Sequence, residues 1–268
     1  METIARGVNA RVHGDCIVEV WFASHREPFK NPARSQAVGL EGRTILEVRR
    51  TGKHIVCQLA STGADPDAQW IVHLGMTGRL LVTTPEAPVE GHTHARLRLK
   101  SGRELRFVDP RRFGRLEFRE LKREKAFAAQ GLEPLTIGAS EFASLFRRRR
   151  LSIKAALLNQ GLLSGVGNIY ADESLFRAGI RPRKNAGRLT RLELERLRVA
   201  LRSVLEDAIR LGGSSVSDYV GAEGVRGFFQ LEHRVYQRTG DPCLSCGGLI
   251  RRVVVAGRST HYCPHCQK

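Results

Sequence analysis

Two closely spaced cysteine pairs near the carboxyl end constrain the folding of this chain more than any other feature. Cys243 and Cys246 form one Cys-x-x-Cys pair, Cys263 and Cys266 form a second, and 16 residues separate the two. Each pair turns the chain so that both sulfurs face one point, and two such turns complete a tetrahedral thiolate site. The sequence therefore predicts one structural Zn²⁺, bound by these four cysteines in a small terminal unit over residues 233–268.

Other interpretations of this segment have less support. Disulfides or a redox pair would require an oxidising compartment or a thioredoxin-like context. The chain opens METIARGVNARV, without the apolar core of a secretory signal, which favours a reducing cytoplasm. His261 and His265 lie beside the second pair, but four sulfurs already fill a tetrahedral shell. Residues 250–260 predict a β-hairpin with Arg258 on its turn, either a probe for a DNA groove or a solvated turn charge.

The chain as a whole carries a large excess of positive charge. Its 44 Lys and Arg against 27 Asp and Glu give a formal net charge of +17. That is far more than solubility requires, and it indicates a polyanionic partner. No apolar run approaches the length of a membrane span, so nucleic acid is favoured over a membrane surface.

The pattern along the chain predicts two larger units before the cysteine unit. Residues 1–125 show short apolar stretches between turn signals, typical of an all-β unit with a leading helix at 3–12. Within it, residues 95–108 alternate apolar and basic side chains about a Ser-Gly turn, which predicts a hairpin with one wet, basic face. Over residues 126–232 the apolar period becomes helical, as in 190–211, where Thr190 and Glu193 form a capping box. Nothing resembles a dimer seam, so a monomer is expected.

One connection between two predicted helices has the features of a phosphate site. Residues 153–160 predict a helix, residues 161–167 a glycine-rich turn, and Asn168 the N-cap of a second helix through residue 180. The free amides and the positive dipole end of a helix N-terminus attract phosphate. An ordinary capped helix is the alternative. The arginine run at 147–150 and Lys154 favour an anion, because a cluster of like charges is costly without one.

Five longer motifs together resemble one enzyme family. In chain order they are HLGMTGRL (73–80), DPRRFGRL (109–116), GVGNIYADESLFRAGIRP (165–182), GGSSVSDYV (212–220) and GRSTHYCPHCQ (257–267). Their order and spacing are similar to those of formamidopyrimidine-DNA glycosylases over essentially the whole chain. The resemblance implies a two-domain α+β fold, with DNA bound in the cleft between the domains. The N-terminal domain would be a β-sandwich with a flanking helix, and the C-terminal domain would hold a helix-two-turn-helix motif and a zinc-finger β-hairpin.

The resemblance also implies an activity and a set of site residues. Such an enzyme excises 8-oxoguanine and formamidopyrimidines from double-stranded DNA and then cleaves the abasic site by β- and δ-elimination. Lys53 would transfer protons in β-elimination and Arg258 would assist δ-elimination, while Met76, Arg111 and Phe113 would fill the space left by the everted nucleotide. The predicted DNA-binding set also contains His73, His92, Arg112, Arg149, Lys154 and Asn168. Zinc would be the only cofactor, and the location would be cytoplasmic, at the nucleoid.

The start of the chain departs from this family pattern. Family members open Met-Pro-Glu-Leu-Pro-Glu-Val-Glu-Thr, and the amine of the N-terminal proline is the nucleophile while the next glutamate handles protons. Here Met1 lies where the valine would be, so Glu2 should not inherit the catalytic role. We expect the 268-residue chain to bind damaged DNA with glycosylase and lyase activity absent or strongly reduced. Either the start was assigned too late, at a valine codon read as Met, which we favour, or the protein binds lesions without cleaving them.

The sequence leaves rival functions and roles open. The protein could be an endonuclease VIII-like glycosylase for oxidised pyrimidines, a non-catalytic binder of damaged DNA, or a zinc-ribbon regulator. Residues 214–229 resemble the loop that caps a flipped purine, which favours the purine enzyme. Without the family resemblance, Met76 would be expected in the core, Phe113 in a strand and Lys53 in a basic turn.

Overall fold

The computed structural model describes residues 1–24, 28–213 and 227–268, and the chain divides into two compact units. The first unit comprises Met1–Ala128 and Leu211–Phe228, and the second comprises Ala129–Arg210 and Phe229–Lys268. Each unit has its own buried apolar core. Most of the stretch that resembles a purine-capping loop, residues 214–226, lies outside the described residues.

In the described residues of the first unit, eight strands form two four-stranded antiparallel sheets. The strands are β1 (Ile17–Phe22), β2 (Thr44–Thr51), β3 (His54–Ala60), β4 (Ala68–His73), β5 (Arg79–Thr83), β6 (Thr93–Leu99), β7 (Glu104–Val108) and β8 (Arg115–Glu120). One sheet has the order β2-β3-β4-β8 and the other β1-β6-β7-β5. Both sheets contribute side chains to one core, in which Trp70 and Phe107 are fully buried.

The helices α1 (Glu2–Val12) and α2 (Ala33–Leu40) accompany these sheets. The buried residues of α1 are Ile4, Ala5, Val8 and Val12, spaced so that they form one helix face. This face joins the sheet core and contacts β2. The helix predicted at 3–12 and the α+β fold class are therefore confirmed.

The hairpin predicted over 95–108 is present as the β6–β7 pair, but its basic face is not simply wet. Glu104 is buried and accepts hydrogen bonds from Arg96 Nε at 2.9 Å and Arg106 Nε at 2.5 Å. Arg106 is also buried and donates to backbone carbonyls of residues 84–88. Glu104 thus pairs with two arginines of the face that was predicted to be wet. The alternation of apolar and basic residues does not by itself predict this pairing.

The second unit combines helices with a terminal hairpin. Its elements are α3 (Ala139–Phe146), α4 (Ile153–Leu158), α5 (Asn168–Arg177), α6 (Arg191–Arg210), β9 (Arg251–Val255) and β10 (Arg258–Tyr262). The predicted capping box is confirmed, because Glu193 N donates to Thr190 Oγ1 and Thr190 N to Glu193 Oε2. Helix α5 ends at Arg177 rather than residue 180, because Gly179 adopts a left-handed conformation with φ of 70°. Among the described residues, no helix is long and apolar enough to cross a membrane.

Candidate nucleic-acid interface and metal centre

The four cysteines converge on one point. The Sγ atoms of Cys243, Cys246, Cys263 and Cys266 lie within 4.8 Å of one another. The Cys243–Cys266 and Cys246–Cys263 Sγ distances are 3.9 Å and 3.5 Å. Tetrahedral zinc with Zn–S bonds of about 2.3 Å holds its sulfurs about 3.8 Å apart. All four are free thiols, so the donor set fits one structural Zn²⁺.

The histidines beside the second pair serve another purpose. His261 is buried, its backbone N–H donates to Asp172 Oδ2 at 2.9 Å, and its ring Nδ1 lies 3.3 Å from the same oxygen. The next residue of α5, Glu173, accepts hydrogen bonds from three consecutive backbone amides, at residues 234–236. Burial raises the pKa of Glu173 even though these three amides lower it. Asp172 and Glu173 of α5 therefore hold in place the backbone of the predicted zinc-finger unit (residues 233–268, here called the finger). This role was not predicted from the sequence.

Lys154 was predicted to bind DNA, but the structure places it in buried contacts within the second unit. Its side chain is fully buried, and Nζ lies 2.6 Å from Asp172 Oδ1. The ammonium also donates to the Ser259 carbonyl and to Thr260 Oγ1, both at 2.8 Å. Burial lowers the pKa of Lys154, while Asp172 raises it. A cation held in this way does not reach a phosphate, and its contacts are structural.

Asn168 shares one of these contacts. It was predicted as the N-cap of α5, but Gly167 takes that position and Asn168 is the first helical residue. Its Nδ2 donates to the Ser259 carbonyl at 2.9 Å. The finger strand β10 is thereby fixed beside the start of α5. Arg258 precedes Ser259, is exposed, and follows a turn in which Gly257 has a φ of 72°.

The arginine run at 147–150 is exposed over all four residues. Arg149 Nε donates to the Leu145 carbonyl at 2.6 Å. The Arg149 carbonyl accepts from Gly187 N at 3.0 Å, and a Cβ on Gly187 would lie 2.8 Å from that oxygen. Arg149 thus lies on a solvent-facing segment whose backbone is held by Gly187, and this position is compatible with the predicted DNA contact.

The three predicted void-filling side chains meet on two adjacent loops of the first unit. Met76 lies between β4 and β5 and is 65% exposed, so it is not a core residue. Arg111 and Phe113 lie between β7 and β8, where Phe113 is 49% exposed and the Arg111 guanidinium carbon is 4.7 Å from its ring centroid. Exposed apolar side chains within a basic loop are the type of group that proteins insert between DNA bases.

Two further residues predicted to contact DNA lie in or beside these loops. His92 and Arg112 are both exposed and have φ values of 65° and 55°, in the left-handed region. The His92 carbonyl accepts a hydrogen bond from Asp109 N at 3.0 Å. Asp109 is itself buried and accepts from Thr77 Oγ1 at 2.6 Å, which joins the two loops. The motif around Asp109 was visible in the sequence, but this role was not.

Lys53 and His73 lie at one end of the β2-β3-β4-β8 sheet. Lys53 is in the turn between β2 and β3, and His73 is the last residue of β4. Gly75 N donates to His73 Nδ1 at 3.1 Å. Burial lowers the pKa of His73, and Lys53 and Arg115 lower it further. The neutral ring therefore carries its proton on Nε2 and can donate a hydrogen bond from that atom.

A second histidine packs on the first. His54 pairs with His73 in the β3–β4 register, with their ring centroids 4.9 Å apart, and Phe127 packs on it at 4.6 Å. Burial, and to a smaller extent repulsion from a protonated His73, lowers the pKa of His54 to about 4. Both rings are thus uncharged near neutral pH, in a region otherwise rich in cations. His54 was not among the predicted site residues.

Glu2, the first acidic residue of the chain, pairs with two arginines. Its carboxylate accepts from Arg6 Nε at 2.7 Å and from Arg50 Nε at 2.8 Å. Burial raises the pKa of Glu2, but the hydrogen bonds from Arg6 and Arg50 outweigh this and leave it below its usual value. Glu2 is therefore the centre of an ion-pair cluster that ties α1 to β2.

Comparison with known proteins gives one consistent result. Residues 1–116 match the family model of the formamidopyrimidine-DNA glycosylase N-terminal domain, residues 131–220 that of the H2TH domain, and residues 240–268 that of the zinc finger found in FPG and IleRS. The chain is 50% identical to a formamidopyrimidine-DNA glycosylase of Solibacter usitatus over 229 residues, covering 85% of this chain and 83% of that protein.

Solved structures agree with the sequence matches. The chain is similar to Lactococcus lactis Fpg in a complex with DNA containing an abasic site, with a TM-score of 0.88, 32% identity, and coverage of 100% of this chain and 97% of that one. It is also similar to the same organism's FPG (MutM) in a complex with DNA containing Fapy-dG, with a TM-score of 0.87, 32% identity, and coverage of 100% and 98%.

Proposed function

The chain belongs to the formamidopyrimidine-DNA glycosylase family, and we propose that it removes oxidised purines from double-stranded DNA and cleaves the resulting abasic site. The observation that carries this proposal is the cluster of exposed Met76, Arg111 and Phe113 on two joined loops of a chain with a net charge of +17. Charge attracts the protein to DNA of any sequence. The cluster supplies the local contact that distinguishes a damaged site from an undamaged duplex.

The substrate class follows from chemistry and from the relatives. An enzyme that acts on a base must take it out of the stack, which costs a few kcal/mol, and side chains inserted in its place offset that cost. The Lactococcus lactis relatives are bound to DNA with Fapy-dG and with an abasic site. We extend both to this chain and add 8-oxoguanine, the other lesion that the family resemblance implies. Since its substrate is chromosomal, we also infer that the protein works at the nucleoid.

We assign the individual steps to residues as follows. Lys53, in the turn beside neutral His73, transfers protons during β-elimination, and Arg258 at the finger turn assists δ-elimination. His73, His92, Arg112, Arg149 and Asn168 contact the DNA backbone, while Met76, Arg111 and Phe113 occupy the vacated space. Zinc supplies no chemistry to the reaction in this scheme. Its four thiolates fold the hairpin that presents Arg258.

The test is an excision assay on duplexes that carry 8-oxoguanine, a formamidopyrimidine or thymine glycol. Two forms of the protein are compared, residues 1–268 and the same chain preceded by Pro-Glu-Leu-Pro-Glu. The second form supplies the terminal amine that the family resemblance implies. We expect it to release the oxidised purines and leave β,δ-elimination ends, with little release of thymine glycol.

Each other outcome identifies a rival. Preferred release of thymine glycol would indicate an endonuclease VIII-like enzyme. Selective binding of lesions without release by either form would indicate a damage-binding protein. Tight binding of one undamaged sequence, with no preference for lesions, would indicate a regulator and overturn the proposal.

A further inference from the structure

We propose that Thr77 and Asp109 form a latch that joins two loops, 75–78 and 109–114, into one rigid wedge, so that Met76, Arg111 and Phe113 enter damaged DNA as a unit. This inference rests on the proposed function, because a wedge has a use only in a protein that opens the base stack. Thr77 and Asp109 are both buried. They are therefore positioning residues that act through the exposed side chains and do not touch DNA.

The two loops are in direct backbone contact although they are far apart in the chain. Gly75 has a φ of 61°, and a Cβ at this position would lie 2.6 Å from the Phe113 carbonyl carbon and 2.7 Å from Gly114 N. No real Cβ tolerates such distances, so only glycine permits this approach. The main chains that carry Met76 and Phe113 thus pack against each other without an intervening side chain.

The Asp109 carboxylate binds both loops at once. Oδ1 accepts from Thr77 Oγ1 at 2.6 Å and from Arg111 N at 3.3 Å, while Oδ2 accepts from Gly114 N at 2.7 Å. Asp109 has no exposed surface, and none of the salt bridges found among the described residues involves its carboxylate. A buried, unpaired carboxylate is costly unless strong hydrogen bonds compensate for its lost hydration.

The carboxylate cannot be replaced by its neutral isostere without loss. An asparagine side chain would turn its amide donor toward either Arg111 N–H or Gly114 N–H, so one of these backbone groups would lose its acceptor, although the Thr77 hydroxyl could still accept a hydrogen bond from the amide. A carboxylate side chain at position 109 therefore suits the three donors that it faces across the two loops. A turn that needed only local capping could use a neutral side chain.

The benefit of the latch lies in preorganisation. Arg111 already stacks on Phe113 at 4.7 Å, and Met76 directly precedes Thr77, so all three exposed side chains depend on the same two loops. Groups that are ordered before binding lose less conformational entropy when they enter DNA. The latch should therefore favour binding at an opened site and have little effect on general attraction to the duplex.

The experiment uses residues 1–268 and a duplex that contains a tetrahydrofuran abasic analogue with 2-aminopurine beside it. Dissociation constants and 2-aminopurine fluorescence are measured for this duplex and for an undamaged one. Thr77→Val, which removes the bond between the loops, should weaken binding to the abasic duplex by about tenfold to a hundredfold, the effect expected of a hydrogen bond to a carboxylate, and Asp109→Asn, which can keep one bond to each loop, should weaken it less. Both should reduce the fluorescence rise, and both should change affinity for the undamaged duplex less than about twofold, because general attraction comes from surface cations.

Two control variants separate the latch from ordinary stabilisation. Thr77→Ser keeps the hydroxyl and should restore wild-type values. Ser61→Ala removes another hydroxyl-to-carboxylate hydrogen bond, to Asp67 in the same unit but outside both loops, and should leave both readouts unchanged. Met76→Ala should cost much less in a Thr77→Val background than in the wild type, because the freed loop no longer presents Met76 effectively.

The outcomes distinguish this proposal from the proposed function. If the unmodified chain binds the abasic duplex no better than the undamaged one, the proposed function fails. If it discriminates but Thr77→Val does so equally well, the latch is wrong. Equal loss of affinity for both duplexes, or full additivity of Met76→Ala and Thr77→Val, would also contradict the latch.

Discussion

Lys154 Nζ lies 2.6 Å from Asp172 Oδ1, and both side chains are fully buried. The other carboxylate oxygen of Asp172 accepts from the backbone of His261, and Lys154 also binds the Ser259 carbonyl. One ion pair between helices α4 and α5 therefore fixes both ends of the segment that follows Arg258. The finger depends on two independent supports, the four thiolates and this buried pair.

The first prediction concerns the stability of the second unit. Lys154→Met leaves the buried Asp172 carboxylate without its cation, and Asp172→Asn leaves the buried Lys154 ammonium without its anion. Either change should lower the free energy of unfolding by about 3–5 kcal/mol. Urea unfolding followed by far-ultraviolet circular dichroism measures this loss. The double variant Lys154→Met/Asp172→Leu should recover much of it. A single variant as stable as the wild type would show that the pair is not the support described here.

The second prediction separates buried from exposed cations by the salt dependence of DNA affinity. Replacing a phosphate-contacting Arg149 by alanine should reduce the slope of log K against log salt concentration by about 0.9. Lys154→Met, measured at a temperature where it is folded, should leave the slope unchanged because Lys154 has no exposed surface. Titrations on one undamaged duplex at four salt concentrations suffice. A reduced slope for Lys154→Met would return this lysine to the DNA-binding set.

The third prediction concerns removal of zinc. Both tryptophans, Trp21 and Trp70, lie in the first unit, so their fluorescence reports the unfolding of that unit alone. Chelation should release one equivalent of zinc and abolish tight DNA binding, while the tryptophan transition stays in place. Cys266→Ser should reproduce the effect without a chelator. Unchanged DNA affinity after complete loss of the metal would contradict the role given to the finger.

The fourth prediction concerns pH. The pKa of His54 is lowered to about 4, so the folded first unit keeps this ring neutral while the unfolded chain protonates it near pH 6.5. Its contribution to stability is full above pH 6.5 and is lost as the pH falls toward 4. Since His54 is only half buried, we expect a loss of about 1–2 kcal/mol. His54→Phe should flatten the pH dependence of the tryptophan transition in this window, and an unchanged dependence would contradict the assignment.

Much of the architecture could be predicted because its signals are local. The spacing of the cysteines predicted the metal centre, and Thr190 with Glu193 marked the start of α6. Met76, Arg111 and Phe113 were predicted by family resemblance, and the structure brings them to adjacent loops.

The rest depends on partners that are distant in the chain. Lys154 follows an arginine run, so its local sequence is that of a phosphate contact. Its ammonium instead pairs with Asp172 and donates to residues of the finger. Its apolar neighbours Ile153 and Ala156 are both fully buried. Their apolar character was the feature of the sequence that could have indicated that this part of α4 faces the core. No residue near Asp109 in the sequence indicates that its hydrogen-bond partner is Thr77, because Thr77 lies on another loop.

The central claim, an enzyme that attacks the sugar beneath an oxidised purine, is tested most directly by borohydride trapping. The chain preceded by Pro-Glu-Leu-Pro-Glu is incubated with borohydride and a duplex that contains 8-oxoguanine, and the covalent protein–DNA adduct is quantified. A damage-dependent adduct, absent on undamaged DNA, is predicted. A protein that binds the lesion duplex tightly but yields no adduct would contradict the claim.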